Sequence, residues 1–273
     1  MFGPLTISGK KKNISTIFGV SSIGMFVTNG CDMPKNILLK SLFEIVGKLE
    51  LKDKVPNRAM LNSISDYRNM QTISIDSFQK NLPGEWTLIE LGGQKSNLQQ
   101  AFKYVMKRTR EIWLEHAPCN ILYSDPDTLC VKPLLDLEKF KEFRIFTNGA
   151  RLSRSQYHNC GVRWFPHTTQ QCVWDFFDQA LTTWHDDAKY HHEQDIYADA
   201  MWIQPNLDRT IQQNLVDQVG EYYKDFEYRC DQTIWFHTPE IEFTQSPPIL
   251  HVHASRNPAN RVAWMQEIWD KIQ

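Results

Sequence analysis

The chain of 273 residues has no Cys-x-x-Cys pair, no excess of basic residues and no uninterrupted apolar run long enough to span a bilayer. Its six cysteines, Cys31, Cys119, Cys130, Cys160, Cys172 and Cys230, are scattered. Such spacing gives no zinc site and no disulfide framework, and it reads as reduced thiols in a cytosolic protein. A formal net charge of -2 and a pI near 6.5 leave no electrostatic footprint for DNA or RNA. The one basic run, Lys10 to Lys12, reads as a solvated turn. The apolar stretch behind it, Ile14 to Val27, is interrupted by Gly19, Ser21, Ser22 and Gly24 and has no small-x-small cleavage site. It therefore reads neither as a secretory signal nor as a transmembrane segment. Internal repeats and low-complexity tracts are also missing. The expectation is a soluble cytoplasmic protein, free to work at a membrane face, with no nucleic-acid partner.

What is present is a well-stocked core: 41% hydrophobic and 12% aromatic residues, enough for one large α/β domain. Strand patterns fall at Gly24 to Thr28, near Arg58 to Ile64, at Trp86 to Leu91, at Asn120 to Ser124 and at Phe143 to Thr147. Another closes the run from Asn159 to Phe165, and a last one starts at Pro247 and Pro248. Ile37, Leu38, Leu42, Ile45 and Val46 recur with helical spacing, which predicts a helix over Pro34 to Leu49 with Pro34 in its first turn. After Gly92 and Gly93, Ser96 suits the N-cap of a helix over Asn97 to Glu115. A further helix spans Gln170 to Thr183, with Val173, Phe176, Phe177 and Ala180 inward. The alternation of strand and helix predicts a mostly parallel sheet with helices on its faces.

The most informative stretch is Ile121 to Pro133, where a buried-strand pattern runs into Asp125, Pro126 and Asp127. Two carboxylates one residue apart then stand at the carboxyl end of a strand, where open α/β sheets bind their ligands. Hard oxygen ligands there suit Mg²⁺ or Mn²⁺, which in turn neutralises phosphate oxygens. An ordinary Asp-Pro turn after an edge strand reads the same way.

This string, continued by Leu134 and Leu135, resembles the DXD segment of nucleotide-sugar-dependent glycosyltransferases of the GT-A fold, in particular family 8 and related DXD sugar transferases of polysaccharide biosynthesis. It departs from them at Ser124 and at Pro126, whose ring stiffens φ and removes an amide donor. The resemblance covers roughly residues 86 to 257, and the first 85 match only in general pattern. It implies one GT-A domain over residues 1-273, with a nucleotide-sugar half at about 20-150 and an acceptor-side half at about 151-273.

Residue by residue, it implies Asp127 as the firmest metal ligand, with Asp125 sharing the metal or holding the ribose. Asn159 and Gly161 match the Asn-x-Gly segment, where a missing side chain lets the donor sugar approach the backbone. Glu193 and Asp195 match an acidic element that opens a helix on the acceptor side, which makes them the expected catalytic residues, Asp195 at the sugar hydroxyls or near the anomeric carbon. The same acids also suit the N-terminus of any helix. His251 and His253 fall on one face of a strand, and either completes the metal shell, with Arg256 gripping the diphosphate. Lys95 contacts the donor, and Thr28, Asn29 and Asp32 lie near the base. An imidazole ligand favours manganese over magnesium.

The implied activity is a metal-dependent hexosyl-type transfer, retaining in outcome, from a nucleotide-diphosphate sugar to a hydroxyl of a glycan, lipid or protein. Trp164, Trp184, Trp202 and Trp235 are the kind of residue that stacks on sugar rings, although most such residues belong to cores. Two alternatives stay open: a haloacid-dehalogenase-type phosphatase, which also begins with Asp-x-Asp after an apolar strand, and a non-catalytic carbohydrate-binding relative of the GT-A shell.

Overall fold

A computed structural model describes residues 33-46, 64-134, 137-145, 160-184, 193-205, 219-223, 234-236, 248-252 and 261-273. The expected strand at Gly24 to Thr28 and the greater part of that near Arg58 to Ile64 lie outside these residues.

A five-stranded sheet forms the centre. Its strands are β1 (Lys35–Ile45), β2 (Thr87–Lys95), β3 (Cys119–Ser124), β5 (Arg144–Ile145) and β6 (Val162–Phe165). They stand in the order β2-β1-β3-β6-β5. β1 pairs in parallel with both β2 and β3, whereas β6 runs antiparallel to β3 and to β5. All but β6 therefore point the same way, as the alternating pattern predicts for an α/β fold with a mostly parallel sheet. Four smaller strands build a second sheet in the order β4-β9-β7-β8. These are β4 (Thr128–Cys130), β7 (Val219–Tyr223), β8 (Ile234–Phe236) and β9 (Ile249–Val252).

β1 corrects the expected helix over Pro34 to Leu49. Ile37, Leu38, Leu39, Lys40 and Ser41 are buried in unbroken succession. A central parallel strand is covered on both faces, so its apolar residues run on without alternation. A run of that kind also satisfies helical spacing by chance. β2 is longer than expected because it continues through Gly92 and Gly93. At Gly92 a Cβ would meet the Leu42 carbonyl oxygen at 3.2 Å, so the missing side chain is what keeps β2 close to β1.

Among the described residues, five helices cover the sheets: α1 (Ile64–Asn81), α2 (Leu98–Glu115), α3 (Gln171–Thr183), α4 (Glu193–Trp202) and α5 (Arg261–Ile272). The N-cap of α2 is Asn97, one residue beyond the expected Ser96, and its side-chain oxygen accepts the Gln100 N–H at 2.8 Å. α1 was not anticipated. Its inward stripe mixes Met70, Ile73 and Phe78 with Gln71, Ser74 and Ser77, which blunts the apolar period by which a helix is read. Those serines have a structural use: Ser77 Oγ accepts the Cys130 N–H at 3.0 Å, seating α1 against β4.

α2, α3 and α4 share a core with one face of the central sheet, where Phe143, Phe165, Trp174, Phe177 and Tyr197 meet as an aromatic cluster. α1 and α5 enclose Leu129, Leu250 and Val252 of the smaller sheet. Trp164 and Trp184 are buried, with Trp164 donating its indole N–H to the Phe140 carbonyl. Trp202 packs partly buried against the main core. The side chain of Trp235 lies outside the described residues. No described helix is long and apolar enough to cross a membrane, and Cys119, Cys130, Cys160 and Cys172 are free thiols.

Candidate functional site

The chain leaves the central sheet at Ser124 and enters the smaller one at Thr128, so Asp125 to Asp127 is the hinge between the two. The turn is closed by the Thr128 N–H and hydroxyl, both donating to the Asp125 carbonyl, at 3.3 and 2.7 Å. Pro126 occupies the second position of this turn, where its fixed φ is preorganised. Two further backbone bonds fasten it: Asp125 N–H to Gly161 O at 2.7 Å, and Val252 N–H to Asp127 O at 2.8 Å.

The antiparallel register of β4 with β9 pairs Thr128 with His251. Asp127 Oδ1 consequently lies 3.0 Å from His251 Nε2, while Oδ2 accepts a hydrogen bond from Arg261 Nη1 at 2.8 Å. Arg261 is the first residue of α5 and is buried, and Tyr67 of α1 packs against the core that α5 shares. Asp125 is the more open of the two acids, its side chain 33% exposed against 14% for Asp127. Its Oδ1 accepts the Tyr123 hydroxyl at 2.8 Å, and Tyr123 in turn lies 2.7 Å from the Ser41 hydroxyl. Burial pushes the Asp125 carboxyl up to about 6, against the pull of Arg163 and with the negative charge of Asp127 adding to the rise.

Behind the turn stands Lys40, fully buried in β1. Its ammonium donates to Ser74 Oγ at 2.5 Å and to Ser124 Oγ, approaches the Asp125 carbonyl at 3.5 Å, and sits over the Phe78 ring. Three acceptors match the three protons of an ammonium. Burial still lowers its pKa to about 7, with Asp125 working in the opposite direction.

Among the described residues, Asp125, Asp127 and His251 form a group able to hold a metal, with ligand atoms all within 4.8 Å of one another. The 3.0 Å between Asp127 and His251 fits adjacent ligands of an octahedral ion, which at bond lengths of about 2.1 Å stand roughly 3 Å apart. The donor set of two carboxylates and one imidazole suits a divalent cation.

Of the other expected site residues, Gly161 is at the turn, through its bond to Asp125. Glu193 and Asp195 open α4, and Glu193 is buried with one carboxylate oxygen 3.9 Å from Cys160 Sγ. Their helix meets the site through Tyr197, whose ring lies 4.2 Å from the Arg163 guanidinium. Lys95 is placed away from the turn: it pairs with Ile45, and its ammonium sits 3.8 Å from the Tyr104 ring centroid. That register is four residues past the level of Asp125, roughly 13 Å along the strand. Thr28, Asn29, Asp32, Asn159, His253 and Arg256 lie outside the described residues.

Sequence reasoning missed Lys40, Arg163 and Arg261. The first two carry a signal, a lone cation inside an apolar strand (Leu38, Leu39, Lys40; Val162, Arg163, Trp164) that burial makes costly unless it has partners. Arg261 carries none, because an arginine at the start of a helix is ordinarily a surface residue.

No family model matches the chain, and no curated protein matches it. Among solved structures it is similar to a glycosyltransferase involved in the glycosylation of the major capsid of PBCV-1. That match has 12% identity and a TM-score of 0.42, covering 86% of this chain and 100% of the other. It is also similar to the apo form of the glycosyltransferase GlyE of Streptococcus pneumoniae TIGR4, at 13% identity and a TM-score of 0.43, covering 87% of this chain. The matched part is 62% of the GlyE chain. Likeness at this level says nothing about chemistry, which has to come from the side chains of the site.

Proposed function

We propose that this chain is a metal-dependent glycosyltransferase of GT-A type, moving a sugar from a nucleotide-diphosphate sugar to a hydroxyl of a glycan, lipid or protein. The observation that carries the reading is the convergence of Asp125, Asp127 and His251 at the carboxyl end of β3, drawn from two sheets and 126 positions of sequence. In this reading the three side chains hold Mn²⁺ or Mg²⁺. The bound cation supplies charge for the diphosphate as it departs from the anomeric carbon.

The protein's own groups do the rest. Arg261 holds one oxygen of Asp127 in place and leaves the other, with His251, to the cation. Tyr123 orients Asp125, and the buried ammonium of Lys40 ties the turn to α1 and β3. Such fixed charges favour developing charge without rearranging during the reaction. Gly161 fastens the turn through its carbonyl, and Asp195 at the start of α4 is the carboxylate assigned to the sugar or acceptor side, Glu193 being buried beside Cys160. Retention at the anomeric carbon is the outcome the family resemblance implies. A haloacid-dehalogenase phosphatase would need the second Asp free to move a proton, and the buried Arg261 bound to Asp127 favours the transferase.

The test is release of nucleoside diphosphate from a panel of nucleotide sugars, with Mn²⁺ or with EDTA. The reading expects turnover of at least one donor, abolished by EDTA and by Asp127→Asn. Metal-independent turnover, or full turnover by the folded variant, contradicts it.

A further inference from the structure

Arg163 is a charge placed where a strand residue is expected to be apolar. It lies between Val162 and Trp164 in β6, and its side chain is 5% exposed. A buried cation is costly unless it is compensated. The compensation here has a specific direction. The guanidinium is sandwiched between the rings of Tyr123 at 3.6 Å and Tyr197 at 4.2 Å. Its Nη2 stands 3.9 Å from Asp125 Oδ1. At that distance it is an ion pair without a close hydrogen bond, and its Nε has no hydrogen-bond partner among the described residues.

The register explains the aim. Tyr123 and Arg163 are directly paired across β3 and β6, and both address the same oxygen of Asp125, one by a hydrogen bond and the other by charge. The second acid is treated alike, since Arg261 binds Asp127. Each carboxylate of the pair therefore faces a guanidinium, and the formal charges of these four groups cancel. A divalent cation entering between Asp125 and Asp127 meets two ligands whose attraction is already offset. It also comes within a few ångströms of a fixed positive charge that is packed between two rings and has no room to retreat.

We infer that Arg163 competes with a divalent cation for Asp125 and so holds the affinity of the site for metal alone low. This rests on the metal reading of the site and adds to it the residue that sets the strength of binding. An anionic diphosphate arriving with the cation supplies the negative charge that Arg163 withholds, which makes the metal and the donor depend on each other at this site.

The experiment is titration of the full chain with Mn²⁺ alone, followed by calorimetry, for wild type, Arg163→Met and Arg163→Lys. Circular dichroism and metal-free thermal unfolding verify the fold of each. Methionine is flexible and packs well against aromatic rings, so it keeps the sandwich filled without the charge, and Arg163→Gln replaces it if it does not fold. The uncharged variant is expected to bind Mn²⁺ at least tenfold more tightly than wild type, and Arg163→Lys to stay within about threefold of it. Equal or weaker binding by a folded uncharged variant overturns the inference, as does equal tightening by Arg163→Lys, which assigns the effect to shape. If neither wild type nor the uncharged variant binds Mn²⁺ alone, this inference fails, and the metal reading is decided separately by Mn²⁺-dependent nucleotide binding. Binding by wild type with no gain in the variant overturns this inference alone.

Discussion

Thr128 and His251 face each other across the β4–β9 ladder, and this single register brings an imidazole from near the end of the chain to 3.0 Å from the Asp127 carboxylate. The Asp-x-Asp turn thus acquires its third candidate ligand from a different sheet. Whatever disturbs the pairing of the small sheet disturbs this candidate metal site.

Arg261→Met removes one partner of a buried charge pair with Asp127. Both side chains are under 15% exposed, at 8% and 14%, so the loss is set by burial and is little screened. The variant is expected to lose roughly 3 kcal/mol of metal-free stability, measured by urea unfolding. A loss below about 1 kcal/mol would mean the pair is effectively solvated.

Metal affinity should depend on pH through Asp125. Its carboxyl is raised by burial to about 6, and a proton held there must leave before a cation binds. Apparent Mn²⁺ affinity is expected to be level above about pH 7 and to fall as pH drops through 6, read by calorimetry between pH 5 and 8. In the metal-free protein the sign is opposite. A raised carboxyl favours the fold in acid, and that contribution is lost as pH rises through about 6.

Lys40 gives a second pH signature. Its pKa is lowered to about 7 by burial, so above that value the unfolded chain binds a proton that the folded chain does not. Stability of wild type relative to Lys40→Met should therefore rise with pH between about 7 and 10, by up to about 1.4 kcal/mol per unit. Urea unfolding of both proteins at pH 7, 8 and 9 measures it. A pH-independent difference would mean that Lys40 stays charged throughout.

The cap of α2 separates two neighbouring residues. Asn97→Ala is expected to cost about 1 kcal/mol, because it removes the acceptor for the Gln100 N–H. Ser96→Ala should be close to neutral, and thermal unfolding of the two variants distinguishes them.

The acids of the candidate site were easier to pick out in the sequence than the groups that support them. Asp125 and Asp127 stand out because they follow a buried strand directly, and His251 because it lies in another apolar run. The helices α2 and α3 and the strands β2, β3 and β6 were legible from their periods. β1 was not, because burial on both faces erases alternation, and with it went Lys40, which a surface helix would have left in water. α1 was hidden by Gln71, Ser74 and Ser77, polar residues that its close packing requires on the inner face. Arg261 became visible only when α5 folded back on α1, a contact between residues nearly two hundred positions apart that no local pattern encodes.

The central claim is a donor site organised by metal at Asp127, and the most direct test is thermal shift of wild type and Asp127→Asn against a panel of nucleoside diphosphates, with and without Mn²⁺. The account predicts that at least one nucleotide raises the wild-type melting temperature by several degrees only when Mn²⁺ is present, and that the variant, folded in the absence of ligand, does not respond. Stabilisation that is indifferent to metal, a variant that responds like wild type, or no stabilisation by any nucleotide would contradict it.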